Sequence, residues 1–244
     1  MSASPFLLSC CALALLSAAS AARADTLIVI EAHGVSLAPG DAVDSAKPLH
    51  LAEDQRLTLV AADGRTIKVQ GAWDRPPSEA AEPGAVGMLT LLKELAAGRA
   101  PDSRTLGALR SGAEVAPLPD PWLIAVGQPG AANYCLRDGQ APVLWRASAG
   151  KATTVQIAPA DRSWQAQANW PAGSERLAVP ARVPLQDGEA YVFDVDGQST
   201  RATMYRVPGT VTGAAMQAAW LMVKGCEAQA LALARTDGTR TDGK

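Results

Sequence analysis

Apolar residues recur along the chain in short runs, and their spacing changes from one block to the next. Leu27–Ile30 is a continuous apolar run of strand length, and Leu57 and Leu59 alternate with polar neighbours. Alternation with a period of two is typical of strands that bury one face. The pattern therefore predicts a small β module over residues 25–73.

The register of one hairpin in this module follows from its apolar face. A three-residue loop that ends at Gly64 places Leu59 opposite Ile67, so that apolar side chains share one face. A two-residue loop would place Leu59 opposite Lys68 instead. We therefore predict the longer loop, with Gly64 in the left-handed conformation.

Residues 74–116 are predicted to be a linker that contains one short helix. Proline and glycine are frequent over residues 74–87, which is typical of irregular chain. Met88, Leu92 and Leu95 then lie on one face at helical spacing, which predicts a helix over 86–98.

The region from 117 to 208 is predicted to be a β-sandwich. In Trp164–Trp170 the even-numbered residues are apolar and the odd-numbered ones polar, as in a half-buried strand. Many short strands with proline and glycine between them indicate a sandwich or a barrel. The predicted strands are 122–126, 134–137, 142–147, 153–158, 164–170, 176–179, 189–195 and 200–207.

The end of the chain changes to helical spacing. Helices are predicted from Thr212 to Val223 and from Glu227 to Ala234, so residues 209–235 form a helical pair packed on the sandwich. The polar residues 236–244 are predicted to be a disordered tail. The predicted fold class is therefore mainly β with minor α.

The first 24 residues predict the cellular location of the protein. An uncharged, mostly apolar stretch precedes Ala22-Arg23-Ala24, the small-x-small pattern that signal peptidase cleaves. We predict a signal peptide cleaved after Ala24, a periplasmic location, and no membrane span after cleavage. The alternatives are an uncleaved membrane anchor and a lipoprotein modified at Cys10.

Cleavage would leave two of the four cysteines, Cys135 and Cys226. In an exported protein an even pair predicts one disulfide. The bond would close a loop of about 90 residues, which stabilises the folded state by roughly 4–5 kcal/mol in the chain-entropy model. The alternative is two separate buried thiols.

Charge and motif content limit the classes of function. The net charge of −2 argues against a nucleic-acid-binding protein, which would carry a basic surface. The chain has two histidines, His33 and His50, and lacks the common hydrolase, phosphate-loop and zinc motifs. We therefore predict no catalytic, cofactor-binding or metal site. Asp194 and Asp196 share one strand face, and we interpret them as solvated side chains rather than as an acid–base pair.

The six tryptophans are the remaining candidates for contact residues. Trp73 follows Gly71 at the start of the polar linker, and we predict that it is exposed and available for binding. The other five are interpreted as core residues.

The N-terminal block resembles the periplasmic FecR-type β domain over residues 26–72. The resemblance implies a small β domain that takes part in envelope signalling or assembly, and it supplies no catalytic residues. The residues that carry it are Gly34, Leu37, Gly40, Val43, Asp63 and Gly64.

Residues 122–207 resemble immunoglobulin-like and fibronectin type III sandwiches. Leu185, Gly188 and Tyr191 match the tyrosine corner, in which the tyrosine hydroxyl bonds back to the preceding corner. Trp145 also follows Cys135 at a spacing near that of immunoglobulin domains. Because Phe193 occupies the position of the second cysteine, Cys135 has to pair outside the sandwich. Another β-sandwich or a barrel is the alternative.

Two hypotheses about function follow. The first is a non-enzymatic periplasmic module that binds a protein partner or another envelope component through its β domains. The second is an envelope hydrolase whose carboxylates come together only in the fold.

Overall fold

The computed structural model describes residues 25–98, 117–127 and 130–241. Its N-terminal part contains a four-stranded antiparallel sheet, with strand order β2-β1-β4-β5, and a ribbon in which β3 pairs with β6. The strands are β1 (Thr26–His33), β2 (Ala42–Asp44), β3 (Leu49–Leu51), β4 (Arg56–Val60), β5 (Thr66–Gln70) and β6 (Trp73–Arg75).

The hairpin of β4 and β5 has the predicted register. Leu59 lies opposite Ile67 and Leu57 opposite Val69, and all four side chains are buried. Gly64 has a φ of +82°, the left-handed conformation that the three-residue loop requires. The apolar face of the hairpin therefore sets its register, as predicted.

The first half of strand β1, Leu27–Ile30, is buried on both faces of the strand. Leu27 and Val29 belong to the apolar cluster of the N-terminal module, whereas Ile28 and Ile30 belong to a second cluster built mainly by helices. A strand covered on both faces needs apolar residues at every position. This explains why Leu27–Ile30 is a continuous apolar run.

Three helices form the layer that covers β1. They are α1 (Met88–Ala96), α2 (Ala214–Val223) and α3 (Glu227–Thr241), and each contacts the other two. Their cluster contains Leu92 of α1 and Trp220 of α2, and it extends to Val60 on β4 and to Val207 in the C-terminal part of the chain. The helices are therefore shared by the two β units of the protein.

The second β unit consists of a five-stranded and a three-stranded sheet. Their strand orders are β11-β10-β13-β14-β8 and β12-β9-β7; β8 runs parallel to β14, and β7 parallel to β9. The strands are β7 (Leu123–Ala125), β8 (Gly130–Arg137), β9 (Val143–Trp145), β10 (Thr153–Pro159), β11 (Ala166–Trp170), β12 (Arg176–Ala178), β13 (Ala190–Val195) and β14 (Gln198–Val207).

Both sheets contribute to one hydrophobic cluster, as expected of a sandwich. Ile124 and Leu144 enter it from the three-stranded sheet, and Ile157 and Phe193 enter it from the five-stranded sheet. Each of the eight strands predicted in this region overlaps one of β7–β14. The predicted fold class, mainly β with a C-terminal helical pair, is confirmed.

The prediction of a disordered tail over 236–244 is corrected. Helix α3 continues to Thr241, seven residues beyond its predicted end at Ala234. The carboxylate of Asp237 lies 2.7 Å from the ammonium group of Lys93 on α1, so a tertiary contact supports this part of the helix. Residues 242–244 lie outside the described ranges.

The predicted linker over 74–116 is also corrected in its first part. Arg75 still belongs to β6, and a short 3-10 helix follows over Pro77–Ala80. The Ser78 N–H donates to the Ser45 carbonyl, which ties this segment to the N-terminal module. The predicted helix is α1, and it packs on α2 and α3 rather than standing alone. Residues 1–24, the predicted signal peptide, and 99–116 lie outside the described ranges.

The corner before β13 is held by a tyrosine hydroxyl. Tyr191 is buried, and its hydroxyl donates to the Pro184 carbonyl and accepts from the Gln186 N–H, both at 2.8 Å. These bonds have the form expected of a tyrosine corner. Cys135, however, lies on the edge strand β8, and Trp145 lies in the other sheet. The resemblance to immunoglobulin-like sandwiches stays a prediction.

Removing the Tyr191 hydroxyl tests the strength of this corner. We expect Tyr191→Phe to lower the free energy of unfolding by about 1–3 kcal/mol, because the change leaves a carbonyl and an N–H without their partner. Urea denaturation measures the difference. Tyr205→Phe is the matched control, and we expect it to change the free energy by less than about 0.5 kcal/mol. Equal effects in the two variants would contradict a special role for the corner.

Candidate functional site

Within the described residues, one edge of the five-stranded sheet is covered by another part of the fold, and the opposite edge is not. Strand β8 forms one edge, and the chain from α2 to α3 covers it. The Cys135–Cys226 disulfide joins β8 to the start of α3, with a Cα–Cα distance of 6.0 Å. The Asn133 side chain also donates to the Lys224 carbonyl at 2.9 Å. The predicted disulfide is therefore confirmed, and it lies on a covered edge.

Gln229 of α3 completes this cover. Its amide oxygen accepts from the Cys135 N–H at 2.6 Å, and its amide nitrogen donates to the Cys135 carbonyl at 3.0 Å. One side chain thus makes both bonds that a neighbouring strand would make. Gln229 is fully buried, so these groups are shielded from water.

Strand β11 forms the opposite edge, and β10 is its one partner among the described strands. In an antiparallel pair every second residue of the edge strand turns its N–H and C=O away from the partner. Natural edges are commonly protected by lysine, proline or a bulge. Ala166–Trp170 contains neither lysine nor proline, and its pairing with β10 is regular. This edge is therefore open to pairing with another strand.

A groove of about 400 Å³ runs beside the open edge. One wall is formed by β11 with Trp164, and the other by the segment 180–184 that follows β12. Arg182 is the one charged side chain among the described residues that line it. The groove is therefore mainly apolar, with Gln165, Gln167 and Arg182 as its polar lining residues.

The width of the groove follows from the sequence of β11. The inward-facing positions there are Trp164, Ala166, Ala168 and Trp170, so two small side chains stand between two large ones. Trp170 is fully buried, whereas Trp164 is half-buried and packs against Tyr191 with ring centroids 6.1 Å apart. The alanines leave room for side chains supplied from outside the fold.

The outer face of the same sheet carries the two aspartates noted in the sequence. Asp194 accepts a hydrogen bond from Ser199, and Asp196 accepts one from Thr153 and lies 3.4 Å from the Lys151 ammonium group. The hydrogen bond from Thr153 holds the pKa of Asp196 below its ordinary value. Asp196 is therefore ionised at neutral pH, as a solvated carboxylate is.

Two other residues considered in the sequence lie in the N-terminal module. Trp73 is half-buried in β6; its indole N–H donates to the Arg75 carbonyl at 2.7 Å, and the Arg75 guanidinium lies 4.2 Å from the ring centre. Trp73 is therefore partly exposed, and its role as a contact residue stays a prediction. His50 pairs with Asp74 across the ribbon of β3 and β6.

From the sequence, Trp164 is interpreted as a core residue, and Ala166 and Ala168 as the apolar face of a half-buried strand. Trp164, Ala166 and Ala168 fit the apolar face of a strand, and nothing in their spacing tells an edge strand from a central one. The one sequence signal that fits the groove is the pair of small residues, Ala166 and Ala168, between two tryptophans.

Among the described residues, no group of three or more His, Cys, Asp or Glu side chains is arranged to hold a metal ion. None of the described helices has both the length and the apolar character needed to cross a bilayer. A scan against protein-family models, a search of curated proteins and a search of solved structures each return no match for this chain.

Proposed function

We propose that the protein is a non-enzymatic binding module of the periplasm that holds an extended, acidic segment of an envelope protein along β11. The observation that carries this proposal is the contrast between the two edges of one sheet. A disulfide and a buried glutamine cover β8, while β11 is left flat, uncharged and beside an apolar groove.

An extended peptide fits both features of this edge. Its backbone would pair with the outward N–H and C=O groups of β11, as in other cases of strand addition. Because successive side chains of a strand point to opposite faces, every second one would enter the groove over Ala166 and Ala168. Backbone pairing would give affinity, and the size of the groove would select the side chains.

Charge supports an acidic partner segment. Arg182 lines the groove, whereas the smaller cavity that shares Trp164 and Gln165 with it has both Arg162 and Asp194 in its lining and adds no net charge. No carboxylate lines the groove among the described residues. A peptide carboxylate near Arg182 would therefore meet a cation and no repulsion.

The alternative of an envelope hydrolase has weaker support. Asp194 and Asp196 are the pair of carboxylates that the sequence offers for acid–base chemistry, and both accept hydrogen bonds from hydroxyl groups. A general acid needs a raised pKa, whereas the pKa of Asp196 is lowered. The observations thus favour binding along β11 over hydrolysis at the two aspartates.

Peptide display on the full chain without residues 1–24 tests the proposal. We expect a random 12-residue library to yield peptides with apolar residues at alternate positions and with Asp or Glu. Ala168→Phe should weaken their binding at least 10-fold, because the ring fills the groove. Arg182→Glu should weaken it through charge, without touching the core.

Two matched controls separate groove effects from general damage. Ala131→Phe adds the same ring to an exposed position on the covered edge strand β8, and Arg176→Glu reverses an exposed charge on β12. Both should bind the selected peptides as the parent does. Failure to select any peptide, or equal binding by Ala168→Phe, would overturn the proposal.

A further inference from the structure

A second cleft, separate from the sandwich groove, lies where the N-terminal sheet meets the helical layer. It has a volume of about 360 Å³. Strands β1 and β4 supply most of its lining, and Lys224 in the turn between α2 and α3 closes it. The side chains used below are Glu31, His33, Arg56, Thr58 and Lys224.

A β-bulge in β1 aims two of these side chains at the cleft. Up to Ile30, odd-numbered residues of β1 face the module core and even-numbered ones face the helices. The register shifts between Val29 and Glu31, so that Ala32 returns to the core side. Glu31 and His33 consequently lie on the face that the helices cover further along. Bulges that re-aim side chains are frequent beside functional sites.

Strand β4 presents a matching polar pair. Thr58 lies opposite Glu31, and Arg56 lies opposite His33. The same face of the sheet is apolar at Ile28, where it packs under the helices. The face therefore changes from apolar to polar at the point where the helical cover ends at Lys224.

The cations in the cleft exceed its carboxylates. Arg56 and Lys224 are both cationic, and Glu31 is the one carboxylate among the described lining residues. The Lys224 ammonium lies 3.8 Å from the Glu31 carboxylate, and the Lys224 side chain is only 16% exposed. It also lies 5.5 Å from the ring centre of Trp220 and 5.7 Å from that of Tyr205, which fixes its position. A poorly hydrated, positioned cation favours an incoming anion.

We propose that this cleft binds a small molecule through an oxyanion group, a carboxylate or a phosphate, and through a hydroxyl or amine next to it. The Arg56 guanidinium offers a planar pair of donors, Lys224 a point charge, and Thr58 a hydroxyl donor. Glu31 accepts the hydrogen bond of the neighbouring hydroxyl or amine. The site is independent of the peptide groove on β11.

Titration with simple probes tests the cleft. The probes are inorganic phosphate and acetate, which separate the two oxyanions, and glycerol phosphate, which adds hydroxyl groups. Binding to the full chain without residues 1–24 is followed by amide shifts in the nuclear magnetic resonance spectrum. We expect saturable shifts at Thr58 and His33 with at least one oxyanion, and tighter binding of glycerol phosphate than of phosphate if phosphate is the group bound.

Three variants make the result specific. Lys224→Met should weaken binding at least 10-fold, whereas Lys151→Met, which changes a 75% exposed lysine in the second β unit, should leave it unchanged. Glu31→Gln should strengthen the binding of phosphate or acetate several-fold, because it removes the one carboxylate that competes for the cations. A structural role of Glu31 alone would not produce that gain. Non-saturable shifts, unchanged binding in Lys224→Met, or weaker binding in Glu31→Gln would overturn the proposal.

Discussion

The double variant Cys135→Ala/Cys226→Ala is expected to lose about 4–5 kcal/mol of unfolding free energy, from the chain-entropy cost of the loop that the disulfide closes. The two cysteines are 91 residues apart in the sequence, so the unfolded chain gains much freedom when the bond is absent. Small domains are stable by only about 5–15 kcal/mol, so this loss is a large part of the total. Urea denaturation followed by tryptophan fluorescence measures it.

Reductant provides the control for this prediction. The unmodified protein should become less stable by a similar amount when it is unfolded in the presence of dithiothreitol. The double variant should be insensitive to the reductant, since it has no bond to break. A loss below about 1 kcal/mol in both experiments would contradict the chain-entropy account. If the double variant does not fold, the comparison of oxidised and reduced protein still decides the question.

The second large effect is expected at Gln229. Gln229→Leu leaves the side-chain volume nearly unchanged but removes both hydrogen-bonding groups that pair with the Cys135 backbone. Leaving a buried N–H and a buried carbonyl unpaired costs about 1–3 kcal/mol for each group, so we expect a loss of about 2–6 kcal/mol. Chemical denaturation gives the free energy, and hydrogen exchange at the Cys135 amide gives the local effect.

Gln217→Leu is the matched control for Gln229. Gln217 lies on α2, is half-buried, and has a long hydrogen bond of 3.5 Å to the Val211 carbonyl. Its substitution should change stability by less than about 1 kcal/mol. Faster exchange at Cys135 should occur in the Gln229 variant alone. If both variants lose the same stability and Cys135 remains protected, Gln229 does not act as a substitute strand.

The disulfide and Gln229 differ in how far the sequence can predict them. The disulfide could be predicted because, once a cleaved signal peptide is assumed, the number of cysteines leaves one pairing for Cys135. The role of Gln229 could not, because a glutamine in a helix is usually solvated. Its importance depends on β8 lying at a sheet edge, parallel to β14, a pairing between residues about 70 positions apart.

Local pattern predicted local structure well. The register of Leu59 and Ile67 follows from alternation, and so do the eight strands of the sandwich. The bulge between Val29 and Glu31 could not be predicted from the sequence pattern, because its position depends on which faces of the sheet the helices cover. For the same reason the alternating pattern of β11 predicts that Ala166 and Ala168 face inward, but it does not predict the open groove beside them.

The end of α3 illustrates how tertiary contacts override local preference. Gly238 and the polar repeats around it favour an irregular tail. The ion pair of Asp237 with Lys93 and the bond from Arg235 to the Leu118 carbonyl tie the helix to distant segments. Neither partner could be identified from the residues next to it.

The shared helical layer has a consequence for the order in which the chain can fold. Ile28, Ile30 and Val60 lie on a face of the N-terminal sheet that α2 and α3 cover. Those helices come more than 150 residues after Val60 in the sequence, so this face stays accessible to water until they have docked. The N-terminal sheet without α2 and α3 therefore presents an apolar surface, and docking of the two helices removes it.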